Sequence, residues 1–428
     1  MPSADPSPTV RTVFVPGRGG AAVRVVRACR ELGLRSVVGH SDADADSLPV
    51  RLADDGFCLG PAAPAHGYLN VPAVLYGCAG TGADAVHPGC GPLAADLLLA
   101  RGCAEAGLVF VGSTPEHLAL LGDRIATRAV LAGAGLPVVP GSADRLRGVE
   151  DALGEADRLG YPVALKPAAG RGGRLVRTPA ELPEAFRRAT HDARRLFADA
   201  RLFLERHLPA ARRVEVQVLA DHHGGVVHLG DRRGPDRHRG LVAEAPAPDL
   251  PTRLRERLHQ AAVRGAAAVR LAGAATVDFL VTGPDGFACV GVDPVPRAGH
   301  PVTEAVTGVD VVEWALRVAA GERLDLDRWD VAVRGHAVLV RISAPEPPAG
   351  RTAPPDRDRV APPDRDRVAP PDHHTGPVLP GGAGVRVDLP AGCPADRASA
   401  EVVVSGRDRA HCLRRLDRAL AETAAAGR

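Results

Sequence analysis

The feature that most restricts the fold lies between residues 11 and 40. A short apolar run, RTVFV (11–15), meets a glycine-bearing turn, PGRGG (16–20), then a helical stretch, AAVRVVRACRELG (21–33), and a second apolar run, LRSVVGH (34–40). Val23, Val26, Cys29 and Leu32 recur at helical spacing and form one apolar face, which needs a sheet to cover it. A strand, a crossover helix and a second strand make a right-handed βαβ unit, so the two strands are expected to run parallel. The pattern continues to about residue 115 and predicts a doubly wound α/β domain. The turn at the helix start can offer unpaired N–H groups to an anion. It lacks the G-x-G-x-x-G spacing, which argues against a dinucleotide.

With 428 residues the chain has room for two to four domains at about 100–200 residues each. Residues 116–150 read as mainly helical, and YPVALKPAAGRGGRLVR (161–177) reads as strand, glycine loop and strand. RLFLERHL (201–208), RRVEVQVLAD (212–221) and GGVVHLGD (224–231) predict strands of an antiparallel sheet, the second with alternating Val214, Val216 and Val218. A helix is expected over 253–270, a hairpin over 275–293 with its turn at TGPDG, and another helix over 307–321. APPDRDRV occurs at 353–360 and again at 361–368, and APPD restarts at 369. Proline pairs with alternating charge cannot bury a core, so 349–376 is expected to be a disordered insert. Strands at 381–390 and 400–406 and a helix at 408–427 make a small α+β ending.

Composition removes several function classes. Lys plus Arg at 53 against Asp plus Glu at 51 leaves a net charge of +2, too balanced to point to nucleic acid or an anionic membrane. Aromatics at 3% make base-stacking surfaces improbable. No apolar run approaches the roughly 20 residues of a membrane span, and the opening MPSADPSPTV has no secretory character, so residues 1–10 are expected to be a disordered leader and the protein cytoplasmic. The eight cysteines form no CxxC pair, which predicts reduced thiols with neither zinc site nor disulfide framework. The basic residues are arginines with a single exception, Lys166. In a chain otherwise purged of lysine, that one stands out as a candidate functional group.

Several strings together resemble one family. GRGGAAVRVVRACRELGLRSV, AVHPGCGPLA (85–94), LGDRIATR (121–128), YPVALKPAAG (161–170), RRVEVQVLAD, AEAPAP (243–248), GHPVTEAVTGVD (299–310) and RGHAVLVRI (334–342) resemble biotin carboxylases, in the family's order. YPV-x-x-K alone is common among ATP-grasp proteins, whereas HPVTE followed by TGVD narrows the resemblance to the biotin-dependent branch. The resemblance implies a Rossmann-like N-terminal domain (11–115), an ATP-grasp domain (116–335) with a mobile lid (about 133–205), and a small α+β C-terminal domain (336–428). It implies ATP, Mg²⁺, bicarbonate and carrier-bound biotin, with carboxyphosphate as intermediate and a glutamate as general base. Homodimerisation, and a biotin carboxyl carrier protein or carboxyltransferase subunits as partners, are implied in the same way.

Carried over residue by residue, the resemblance puts Lys166 and Arg124 at phosphate-contacting positions and Gly170, Gly172 and Gly173 in the lid loop. Glu205 and Leu208 fall at the adenine pocket, His238 at a further cofactor-binding position, and Arg341 at the arginine that holds bicarbonate and biotin. Asp278 and Asp293 remain as candidate ligands of one Mg²⁺, an ion satisfied by one or two carboxylates plus waters and phosphate. The departures gather in GVDPVPRAGHPVTE (291–304), where the family has roughly E-M-N-x-R-x-Q-V-E-H-P-V-T-E. Gly291 replaces a metal-binding glutamate, Asp293 an asparagine, Val295 an arginine, Arg297 a glutamine and Gly299 the general base. Gly240 stands where the family has a lysine, and Arg171 interrupts the glycine loop. Three readings follow: a biotin carboxylase with impaired or lost activity, a noncatalytic nucleotide-binding or assembly module, and an ATP-grasp ligase with another acceptor.

Overall fold

The computed structural model describes residues 10–170, 172–235, 240–326, 331–343, 379–388 and 399–425. The repeat, and with it the expected insert at 349–376, lies outside the described residues, as do Arg171 and His238.

The βαβ pattern produces a five-stranded parallel sheet in the order Asp55–Gly60, Arg35–Ser41, Thr12–Pro16, Ala85–Val86, Val109–Phe110. Val13, Phe14, Val15, Val37 and Val38 are buried on both faces, as continuous apolar runs in parallel sheets require. The helix Gly19–Glu31 covers one face with Ala22, Val23, Val25, Val26, Ala28 and Cys29. Val10 joins this core, so the packed chain begins before the expected start at residue 11.

A second sheet of eight strands is antiparallel throughout, in the order Gly286–Asp293, Gly273–Thr282, Arg212–Ala220, Val226–Arg233, Leu241–Ala245, His336–Ser343, Ser399–Gly406, Val385–Asp388. Its last three strands come from the expected C-terminal domain, which is therefore hydrogen-bonded onto the central sheet and extends it. The helix Arg409–Ala425 closes that end, with Cys412 and Leu416 packed on Val338, Val402 and Val404. Val214, Val216 and Val218 face the helix Thr252–Ala268, whose Leu254, Leu258, Ala261, Ala262 and Ala266 recur at helical spacing. The other face of the same strand carries Glu215 and Gln217, and these too are buried.

The lid segment has its own core. Strands Arg174–Val176, Val163–Pro167 and Leu202–Arg206 form a small antiparallel sheet, and helices Val149–Leu159 and Leu182–Phe197 pack on it through residues such as Ala152, Ala156, Leu182 and Ala193. The expected helical stretches are refined. Within 116–150 the helices Pro115–Gly122 and Arg124–Gly133 end at Gly135, which takes φ 75°, and Pro137 and Pro140 prevent continuation. The stretch expected as one helix over 307–321 begins later: a helix His300–Thr307 stops at left-handed Gly308, and Asp310 caps the next, Val311–Ala319, by accepting from the N–H groups of Val312 and Glu313.

Candidate functional site

A cleft of about 470 Å³ opens between the lid sheet and the Asp278 end of the large sheet. One wall carries Lys166, Arg124, Gly170 and Gly172, and the other carries Arg213, Asp278, Gly291, Asp293 and Arg297.

The first wall is built by a helix start and a loop return. Asp123 caps the helix Arg124–Gly133 by accepting from the N–H groups of Ile125 and Ala126, each at 3.0 Å, which fixes Arg124 as its first residue. The Arg124 guanidinium lies 5.1 Å from the Phe203 ring centre and donates to the Gly172 carbonyl at 3.4 Å. Lys166, on the strand Val163–Pro167, points its ammonium at Glu205, which also accepts from Arg128 at 3.0 Å. Burial pulls the Lys166 pKa below its ordinary value, against the opposing pull of Glu205. The glycine loop is sterically required. A Cβ at Gly173 would sit 2.9 Å from Lys166 Cγ, and one at Gly170, which takes φ +71°, would meet Phe197 at 2.1 Å. Leu208 is half-buried just beyond the strand Leu202–Arg206 and does not line the cleft.

The second wall is a problem in electrostatics. Asp278 lies directly opposite Glu215 on one neighbouring strand and opposite Gly291 on the other, while Asp293 faces Thr276. Like charges at facing positions repel, so the carboxylates need cations. Arg297 meets all three, donating to Glu215 Oε1 at 2.7 Å, Asp278 Oδ1 at 2.8 Å and Asp293 Oδ2 at 2.8 Å, with a further bond to Asp278 Oδ2. Arg213 adds a bond to Asp278 Oδ2 at 2.8 Å. Behind them Arg232 is fully buried and places all five N–H donors: on Glu215 at 2.9 Å, Gln217 at 2.7 Å, Thr303 at 3.2 Å, Thr276 at 3.1 Å and the Pro296 carbonyl at 2.9 Å. Burial works against the charge on Arg297, but Asp278, Glu215 and Asp293 outweigh it and raise its pKa. Burial likewise disfavours ionised Glu215, yet Arg232 and Arg297 hold its carboxyl below the usual range. Asp278 and Asp293 are thus brought together as the sequence suggested, with a guanidinium between them. As donors they suit a divalent ion in kind, but Arg297 takes up the oxygens such an ion needs, so this arrangement does not fit one.

Gly299 caps the helix His300–Thr307 and lies against Arg232; a Cβ there would be 3.0 Å from Arg232 Nε and 3.0 Å from Ala243 Cβ. The neighbouring His300 is buried, with Nδ1 2.8 Å from the Arg297 carbonyl oxygen. Arg341 is not in the cleft. It sits opposite Glu401 on the adjacent strand, half-exposed and ion-paired to it at 2.5 Å. Glu215, Arg213 and Arg232 were missed by sequence reasoning. The available signal was the alternation in RRVEVQV, which sets Glu215 and Gln217 on one face of a strand that the large sheet buries on both sides.

A lid sheet with a basic strand and a glycine loop, closing over an antiparallel sheet whose end carries carboxylates, defines an ATP-grasp protein. Residues 9–118 match the family described as "Biotin carboxylase, N-terminal domain", and residues 123–327 match "Carbamoyl-phosphate synthase L chain, ATP binding domain". A biotin carboxylase from Nostoc sp. is 37% identical, with 97% of this chain and 92% of the relative covered. A Campylobacter jejuni biotin carboxylase crystallised as a β,γ-ATP complex superposes with a TM-score of 0.85 at 30% identity, covering 97% and 91% of the two chains. The biotin carboxylase domain dimer of Hydrogenobacter thermophilus 2-oxoglutarate carboxylase, solved with MgADP, ADP and bicarbonate, gives 0.84 at 31% identity, covering 96% and 90%. The chain belongs to the biotin carboxylase family. No helix among the described residues is long and apolar enough to cross a membrane.

Proposed function

We propose that this protein binds an adenine nucleotide in the cleft between lid and sheet and carboxylates biotin slowly or not at all. The observation that carries the reading is the packing of Gly299 against Arg232, at the position where the family resemblance expects the general base. A hydrogen side chain removes no proton, and a positioned base contributes about 10²–10⁴-fold. The nucleotide half of the reading rests on the basic wall of Lys166 and Arg124 beside the glycine loop, and on the nucleotide complexes of the Campylobacter and Hydrogenobacter relatives. Fixed cations lining a cleft suit phosphate oxygens. In line with the Hydrogenobacter dimer, we take the chain to be a homodimer that works beside a biotin carrier or carboxyltransferase subunit.

The test is bicarbonate- and biotin-dependent ATP hydrolysis, run beside a titration with fluorescent ADP. Nucleotide binding without biotin-dependent turnover is expected. Turnover matching that of an active family member would refute the impairment, and absence of ADP binding would refute the nucleotide site.

A further inference from the structure

We propose that the Arg297 guanidinium is the resident cation of this cleft, a tethered group that stands in for a divalent ion at Asp278 and Asp293. The inference rests on the nucleotide reading above and specifies how the phosphate charge is met.

Three observations converge. The first is position: one side chain reaches carboxylates on three strands, those of Glu215, Asp278 and Asp293, as a bound cation would. The second is the backbone. Arg297 takes φ 61°, a left-handed conformation that a long side chain adopts only when its surroundings hold it there. His300 and Arg232 do so from behind, His300 Nδ1 lying 2.8 Å from the Arg297 carbonyl oxygen and Arg232 donating to the carbonyl of the preceding Pro296 at 2.9 Å. The third is charge. Glu215, Asp278 and Asp293 face Arg213, Arg232 and Arg297, three against three. A dication arriving from solvent meets no surplus of negative charge in that set and would have to displace a guanidinium that makes four hydrogen bonds. Mg²⁺ in addition demands near-octahedral oxygen ligands, which carboxylates engaged with Arg297 do not present.

The chemical consequence concerns the nucleotide. Arg297 is partly exposed to the cleft, on the wall facing Lys166 and Arg124. Phosphate oxygens therefore meet Lys166 and Arg124 on one wall and, on the other, carboxylates already neutralised by Arg297 and Arg213, so no intervening metal is needed to screen them. The free nucleotide anion becomes the ligand, and magnesium is dispensable for binding.

Two measurements on the full chain test this. Fluorescent ADP is titrated with excess Mg²⁺ and again with EDTA, and dissociation constants within about threefold of each other are expected. A loss of more than about tenfold in EDTA overturns the proposal while leaving the nucleotide site intact. No binding in either condition overturns the nucleotide reading, and the proposal with it. Separately, Mn²⁺ alone is titrated into the nucleotide-free protein and followed by its spin resonance signal. Wild type is expected to show no site sensitive to Asp278→Asn, whereas Arg297→Gln gains one that the added Asp278→Asn change removes. A wild-type Mn²⁺ site abolished by Asp278→Asn overturns the proposal. The carboxylates of Glu31, Asp310 and Glu313, which lie close enough together to attract Mn²⁺ themselves, are unchanged in every variant and cancel in the comparison.

Discussion

Arg232→Met tests whether the buried charge network holds the segment carrying Arg297 and Gly299 in place. Arg232 has no exposed surface and makes five hydrogen bonds, three to the sheet residues Glu215, Gln217 and Thr276, and two to Pro296 and Thr303 of the segment carrying Arg297 and Gly299. Methionine fills much of the volume, so the cavity contribution is small and the loss is mainly polar. Five bonds at about 1 kcal/mol each set an upper estimate near 5 kcal/mol, and removing one partner of a buried ion pair costs about 3–5 kcal/mol by a separate route. Glu215 keeps Arg297 at 2.7 Å, which places the expected cost toward the lower end, about 3–4 kcal/mol. At about 2–4 °C per kcal/mol for a domain of this size, the melting temperature should fall by about 6–16 °C in a thermal scan. Arg188→Met, which breaks an exposed pair with Glu184 on the helix Leu182–Phe197, is the control and should change it little. Equal effects of the two substitutions would refute the claim that Arg232 organises the segment.

Lys166→Ala should weaken ADP binding by about 1.5–3 kcal/mol, measured by fluorescence titration, because a charge-assisted phosphate contact is lost; unchanged affinity would remove Lys166 from the site. Gly299→Glu alone should give no measurable biotin-dependent turnover, since its Cβ arrives 3.0 Å from Arg232 Nε and 3.0 Å from Ala243 Cβ; clear activity in the hydrolysis assay would contradict this. Burial holds the His87 pKa down at about 4, from an ordinary value near 6.5. The unfolded chain therefore binds the proton first between those values, so stability present above pH 6.5 is lost as pH falls toward 4, by about 3 kcal/mol for this one group. His87→Gln should flatten that slope in urea melts, and an identical pH profile in both proteins would show that His87 does not titrate in this way.

What was legible in the sequence is what local periodicity encodes. The run from RTVFV to LRSVVGH specified parallel strands because its two apolar periods leave no other packing, and the strands do pair in parallel. Val214, Val216 and Val218 faced the core as their alternation required. Lys166, singled out by its isolation, lies in the cleft, and Asp278 and Asp293 lie in it together. The arrangement of charge was not legible. That Arg297 turns inward depends on a left-handed backbone at a residue that is not glycine, for which the string PVPRAG gives no local sign. Arg341 pairs with Glu401 because a strand 60 positions later lies beside its own, a register that only the assembled sheet determines. Glu215 escaped notice because a charged residue in an alternating strand is ordinarily exposed, and here both faces of the sheet are covered.

The residues from Gly291 to Gly299 are tied together by shared contacts. Arg232 has every donor matched, so a carboxylate introduced at Gly299 would compete with Glu215 for its Nε. Glu215 could yield, since Arg297 also neutralises it, but Arg297 would still hold Asp278 and Asp293 and block a metal there. Reverting Arg297 to glutamine alone frees those oxygens while leaving three carboxylates facing only Arg213 and Arg232, an imbalance that a divalent ion corrects. Gly291 is open, since a Cβ placed there would have no neighbouring atom within 4 Å, so a side chain can start there without a backbone clash. The order of restoration follows from these contacts. Arg297→Gln with Gly291→Glu is therefore expected to create a Mn²⁺ site on the sheet, read by the same spin resonance titration, whereas Gly299→Glu alone is expected to create none because Arg297 still holds Asp278 and Asp293.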